Sequence, residues 1–176
     1  METELIGEGK FIRLVRLGKW EFAERTKANG VVVVVPQLSD GRWLLIEQRR
    51  EAVRSSCIEF PAGLSGDSTE KPDEMLETAA LRELVEETGY EATEITLLGR
   101  AAPTPGLTSE IMTFFSASGL KQVSSGGGVG GEQIATHLVE DSKIDEWLKN
   151  RSKDSIVSAM VYSGLYLART RLTRTS

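Results

Sequence analysis

Very little in this sequence suits a membrane, a nucleic acid or a disulfide framework. No apolar run approaches the ~18 residues that a membrane-spanning helix requires. Met1 to Lys10 is charged and lacks an apolar core, so no signal peptide is expected there. One cysteine, Cys57, excludes an internal disulfide and reads as a small core residue. It fits a reducing compartment, and a cytoplasmic location is the expectation. The one histidine, His137, falls in a strand pattern and reads as structural or surface, not as a ligand. With 21 Lys and Arg against 26 Asp and Glu, the net charge is −5, and no basic stripe offers itself to a nucleic acid. If such a chain handles phosphates, it must supply positive charge locally, from arginine or from metal ions.

What is present is ordinary globular material. The 176 residues suit one domain, or one domain with a small appended sheet, and 40% hydrophobic with 27% charged residues is enough for a core. Val31 to Val35 is a run of valines between Gly30 and Pro36 and reads as a strand. Ser39-Asp40-Gly41 then turns it into a hairpin with Trp43 to Glu47. Upstream, Phe11 to Leu17 and Trp20 to Arg25 alternate around Gly18 and read as a separate hairpin, linked by 27–30. Ile58 to Leu64, Ile95 to Ala101, Ile111 to Ala117 and Gln133 to Val139 read as strands. Asp73 to Thr88, Ile144 to Asn150 and Asp154 to Arg169 read as helices, with Gly89 ending the first. Ser124 to Gly131 is nearly all glycine and serine and is expected to be mobile. Mixed strands with segregated helices predict an α+β fold.

The chemistry concentrates in the first helix. At ~100° per residue, Glu86 lies about 60° to one side of Glu83 and Glu87 about 40° to the other. Leu81 and Val85 are expected on the opposite, core-facing side. Three carboxylates on one arc repel, and Arg82, four residues before Glu86, offsets part of that. A solvated acidic face is the bland alternative. A hard divalent cation explains the cluster better, since Mg²⁺ takes carboxylate oxygens and leaves positions for phosphate oxygens and water.

The surrounding residues resemble the Nudix box: Glu74, seven residues, Arg82-Glu83-Leu84, Glu86-Glu87, Gly89, Tyr90. The glycine expected six residues before Glu74 is Ser68, which implies a longer loop over Ser65 to Lys71 with Gly63 or Gly66 as the turn glycine. Four features resemble the ADP-ribose pyrophosphatase branch of the Nudix hydrolases. Glu59-Phe60-Pro61-Ala62-Gly63 leads into the box, and there the carbonyl at the Ala62 position binds a metal. Pro105-Gly106-Leu107-Thr108-Ser109-Glu110 is similar to that branch's following loop, or is a structural turn. Gly131-Glu132-Gln133-Ile134 places a glutamate where the branch carries its general base; Glu86 is the alternative base. Trp20-Glu21-Phe22-Ala23-Glu24-Arg25 is similar to an N-terminal hairpin that swaps against a partner subunit and stacks on the base.

That resemblance implies a Nudix fold, a mixed β-sheet sandwiched by helices with an N-terminal antiparallel β hairpin. Residues 1–29 would serve dimerisation and base binding, and residues 30–176 would be the hydrolase domain. It implies Mg²⁺, with Mn²⁺ as the alternative, held by Ala62, Glu83, Glu86 and Glu87, and proton abstraction by Glu132 or Glu86. Trp20, with Phe11 as a second ring, would stack on the base, and Arg25, Arg50 and Leu64 would complete the substrate contacts. Simple packing for Trp20 and solvated charge for either arginine remain open. The implied enzyme is a homodimeric pyrophosphatase cutting ADP-ribose or a related nucleoside diphosphate sugar to a nucleoside monophosphate and a sugar phosphate. GDP-mannose or UDP-sugars as substrates, a non-catalytic nucleotide sensor, and RNA processing are the competing readings.

Overall fold

The structure is a computed structural model and describes residues 2–67 and 72–172. Strands β1 (Glu4–Glu8), β2 (Ile12–Leu17) and β3 (Trp20–Arg25) form an antiparallel sheet. The expected hairpin is present as β2–β3, turned at Gly18 with φ 61°. β1 adds a third strand on β2. Sequence reading missed it because Glu4–Glu8 holds only two apolar residues, Leu5 and Ile6, between glutamates.

β4 (Gly30–Pro36) and β5 (Arg42–Arg50) are the expected strands, but they do not form a two-stranded ladder. The turn exists: the Leu38 amide donates to the Arg42 carbonyl at 2.9 Å, and one bridge joins Gln37 to Trp43. Beyond it the strands part into different sheets. β4 is flanked on both edges, by β7 (Ala62–Ser65) and by β10 (Met112–Ser118), so no edge is left for β5. The valine run suits this central place, because both of its faces are buried. β5 pairs with β6 (Ser55–Glu59) and β12 (Ile134–Glu140).

The expected single strand Ile58 to Leu64 is two strands. The chain leaves the β5 sheet after Glu59 and joins β4 at Ala62, crossing between sheets at Phe60-Pro61. Pro61 has no amide to give to a ladder, which suits a crossover; its carbonyl accepts from the Val34 amide at 2.8 Å.

Helix α1 is Leu76–Thr88, shorter at its start than expected, and Gly89 ends it in the left-handed conformation with φ 76°. β8 (Tyr90–Glu91) pairs with β11 (Lys121–Gln122), and β9 (Glu94–Ala101) pairs with β10. α2 is Ile144–Arg151. The expected helix from Asp154 begins only at Ala159: residues Ile156–Val157 form β13 beside β6, and α3 runs Ala159–Leu172.

Two apolar clusters hold the layers. Val31, Val33 and Val35 meet Leu45, Phe60, Phe114, Ile144 and Leu165, which places α2 and α3 over one side. Val32 and Val34 meet Leu44 and Phe115 with Ala79, Ala80 and Leu84 of α1, which covers the other. The core face of α1 is therefore Ala79, Ala80 and Leu84, not Leu81 and Val85, which are only partly buried. The correction matters, because Glu83 and Glu87 continue the same stripe at helical spacing from Ala80. The carboxylates lie along the edge of the core, not opposite it.

A candidate active site between helix α1 and the β7 edge

Glu87 is only 4% exposed. Its Oε2 accepts the Ala62 amide at 2.9 Å. Burial is the largest influence and pushes its carboxyl up from 4.5 to about 8. Glu83 and Glu132 push the same way, against the Ala62 amide and Arg50. Glu83 is raised as well, first by burial, with Arg82 opposing. Its carboxylate packs on Gly63, where an added Cβ would stand 2.0 Å from Glu83 Oε1. Ala62 and Gly63 thus meet the C-terminal half of α1 closely, and a side chain at Gly63 would displace the end of Glu83.

Arg82 organises the remaining acids. Its Nη1 donates to Glu83 Oε1 at 2.8 Å and to Glu86 Oε2 at 3.0 Å. Nη2 donates to the Leu64 carbonyl at 2.9 Å and to Glu74 Oε2 at 3.0 Å, and Nε to Glu74 Oε1 at 3.1 Å. All donor positions of the guanidinium are occupied, so Glu74, just before α1, anchors the arginine that the acids share.

The glycine-rich segment, expected to be mobile, is docked on the end of α1. The Gly127 and Gly128 amides donate to the Glu87 and Glu86 carbonyls, each at 3.0 Å, satisfying carbonyls that a helix end leaves open. Glu132 follows, and its Oε2 accepts the Val129 amide at 3.1 Å. A cleft of about 280 Å³ beside it is lined by Gln48, Arg49, Gly131, Glu132 and Gln133.

The substrate-side expectations are spread more widely. Arg50 is bound to Glu59 and lies near enough to Glu87 for their charges to act on each other. Leu64 faces Val31 across β7–β4 and reaches the site through its carbonyl. Arg25 pairs with Glu110 at 2.7 Å and borders a different cavity of about 470 Å³ near the start of α1, with Ile12, Leu76, Arg100 and Thr108. Trp20 and Phe11 are 66% and 69% exposed on the N-terminal sheet, with Lys19 over one ring and Lys10 over the other. Neither ring borders the cleft beside Glu132. The loop Pro105 to Glu110 clasps β3: Ala23 donates to the Leu107 carbonyl at 2.9 Å and accepts from Ser109 at 3.1 Å. The turn glycine that sequence left open between two positions is Gly66, with φ 73°; Gly63 lies within β7. Ser68 and the rest of the loop to Lys71 lie outside the described residues.

The arrangement of carboxylates, shared arginine and close-packed glycine extends over a region matched as a whole by one protein family. The NUDIX domain family matches residues 26–148. The chain belongs to the Nudix family. Among curated relatives, the chain is 32% identical over 135 residues to a methanol dehydrogenase activator of Bacillus methanolicus, covering 73% of this chain and 70% of that one. It is 36% identical to an ADP-ribose pyrophosphatase of Bacillus subtilis (58% of this chain, 53% of that one). It is also 36% identical to an ADP-sugar pyrophosphatase of Mus musculus (60% and 54%). The alignments thus span about half the length of the two pyrophosphatases. A solved structure described as an ADP compounds hydrolase superposes with TM-score 0.74 at 22% identity, covering 100% of this chain and 94% of that one. It shares the Nudix fold, which agrees with the α+β architecture expected from sequence.

Nudix hydrolases use divalent cations, and the donor set here fits one. Glu87 is a buried carboxyl that Glu83 and Glu132 make still harder to ionise, an electrostatic deficit that a dication would offset. Among the described residues, no three such side chains already stand around one point: Arg82 draws Glu83 and Glu86, and the Ala62 amide draws Glu87. Two members of the site had no role assigned from sequence. Glu74 was seen only as a position of the box and Glu59 only as the first residue of the Glu59-Phe60-Pro61-Ala62-Gly63 run.

Proposed function

We propose that this chain hydrolyses the pyrophosphate bond of ADP-ribose or a related nucleoside diphosphate sugar, giving a nucleoside monophosphate and a sugar phosphate. The observation that carries this reading is the buried carboxyl of Glu87 beside Glu83 on the β7 edge, with Glu86 adjoining through Arg82. The pyrophosphatase relatives support the substrate class.

Mg²⁺ is the ion that Glu83, Glu86, Glu87 and the Ala62 carbonyl would hold, and when bound it stabilises the charge that builds on the diphosphate in the transition state. Arg50, near enough to Glu87 for their charges to act on each other, contributes a guanidinium to the phosphates. Glu132 takes a proton from the attacking water, leaving its Val129 contact to do so. The N-terminal unit of residues 1–29 is the dimerisation and base-binding part. Leu5, Ile6, Phe11, Ile12, Leu14 and Trp20 are exposed there, a concentration of apolar side chains that a second copy would cover. No helix among the described residues is long and apolar enough to cross a membrane.

The test is a panel of ADP-ribose, GDP-mannose and UDP-glucose with Mg²⁺ and identification of both products. Monophosphate with sugar phosphate from ADP-ribose is the expected outcome. A folded protein that cleaves no member of the panel refutes the reading.

A further inference from the structure

Arg50 and Glu59 form an asymmetric pair. The glutamate side chain is 6% exposed and the arginine 43%. Arg50 Nε donates to Glu59 Oε1 and Oε2 at 3.2 and 3.0 Å, and Nη2 donates to Oε2 at 2.6 Å. The guanidinium is therefore gripped along its Nε–Nη2 edge, and Nη1 has no hydrogen-bond partner among the described residues. Glu59 also accepts the Gln48 amide at 3.0 Å. Gln48 lines the cleft that holds Glu132 and pairs in register with Ile134, two residues beyond it.

We infer that Glu59 is a positioning residue, which fixes the Arg50 guanidinium so that its free edge meets the phosphates of a bound diphosphate. This rests on the reading of the α1–β7 site as a pyrophosphate site. A carboxylate so deeply buried is costly unless paired, and an apolar residue opposite Ile46 would serve the core as well or better. What a carboxylate adds is direction. A free arginine loses rotamer freedom when it binds a ligand; one already held along one edge loses less. The pair also adjoins the proposed site: Gln48, which donates to Glu59, lines the cleft beside Glu132, and Arg50 and Glu87 are near enough for their charges to act on each other. Glu59 itself touches no phosphate in this scheme.

The experiment is a double-mutant cycle read as affinity for inorganic pyrophosphate in Mg²⁺ by calorimetry, beside turnover of the sugar panel and thermal unfolding. Arg50→Ala and Glu59→Gln should each weaken pyrophosphate binding roughly tenfold, and the double variant should be no more than about twofold worse than Arg50→Ala alone. Additive losses, or unchanged affinity in Glu59→Gln, overturn the inference; a merely structural Glu59 would lower the unfolding midpoint without this coupling. Should Glu59→Gln fail to fold, Arg50→Lys carries the test. It keeps the charge but gives up the edge that Glu59 grips, so its affinity should fall nearly as far as that of Arg50→Ala, and retention of wild-type affinity overturns the inference. Coupling on pyrophosphate with no panel member cleaved would reject the substrate reading and leave Glu59 in place. Additive losses with ADP-ribose cleaved would do the reverse, and a wild-type protein that binds no pyrophosphate overturns both.

Discussion

Glu87→Gln should make the metal-free protein more stable at alkaline pH, although it removes a residue of the proposed active site. The Glu87 carboxyl is held up from 4.5 to about 8, with burial as the first cause. For a carboxyl raised on folding, the neutral acid costs nothing extra below its unfolded value. Above that value, folding forfeits an ionisation the unfolded chain enjoys, at about 1.4 kcal/mol per pH unit until the folded value is passed. Between pH 6 and pH 8.5 this predicts a loss on the order of 2–3 kcal/mol in the wild type, and none from this group in the glutamine variant. Urea unfolding in EDTA at the two pH values reads the difference directly. Mg²⁺ added at pH 8.5 should raise the wild-type midpoint more than the variant's, since the variant lacks one of the three carboxylates that would hold the ion. Parallel pH dependences for the two proteins in EDTA would refute the reasoning, because they would mean that Glu87 ionises as freely in the fold as outside it.

Three further outcomes follow from the same geometry. Glu132→Gln should lower kcat by about 10² or more with little change in KM, as measured by steady-state kinetics on ADP-ribose; a change confined to KM would remove Glu132 as the base. Gly63→Ala should fold, because the group its Cβ meets is the end of the Glu83 side chain, but should displace that carboxylate and weaken Mg²⁺ binding measured by calorimetry; unchanged affinity would detach Glu83 from the ion. Asp141 accepts the Trp43 indole N–H at 2.7 Å, and that bond, with Arg169, holds its carboxyl below 3.8. Its contribution is present above pH ~4 and lost as pH falls through the lowered folded value, so acid unfolding of Asp141→Asn should converge on the wild type at low pH and lie below it near neutrality.

The carboxylate-bearing helix α1 was legible because its spacing is local: which carboxylates share an arc depends only on residues per turn. What lay on the other side of that arc was not. Ala79, Ala80 and Leu84 were chosen as the core face by contact with Val32 and Val34, and that choice turned Glu87 inward. Strand positions for β4, β5, β9, β10 and β12 were readable from apolar runs, whereas pairing was not. The Ser39-Asp40-Gly41 turn forms as its residues demand, yet β4 takes β7 and β10 as neighbours because a strand buried on both faces belongs at the centre of a sheet. Glycine content marked 124–131 as loosely held. The same lack of side chains lets the backbone approach α1 closely, where a Cβ on Gly126 would stand 2.4 Å from the Thr88 carbonyl carbon. Arg50 was readable as a cation; that Glu59 grips one edge of it depends on the register of β5 with β6, which no local pattern encodes.

The most direct measurement is the rate at which Glu86→Gln releases AMP from ADP-ribose at saturating Mg²⁺. Glu86 is partly exposed and, among the described residues, its carboxylate is held by the guanidinium of Arg82, so the variant should fold as the wild type does, with its unfolding midpoint as the check. The account expects a rate lower by about 10² or more. A folded Glu86→Gln protein that works at the wild-type rate would contradict it.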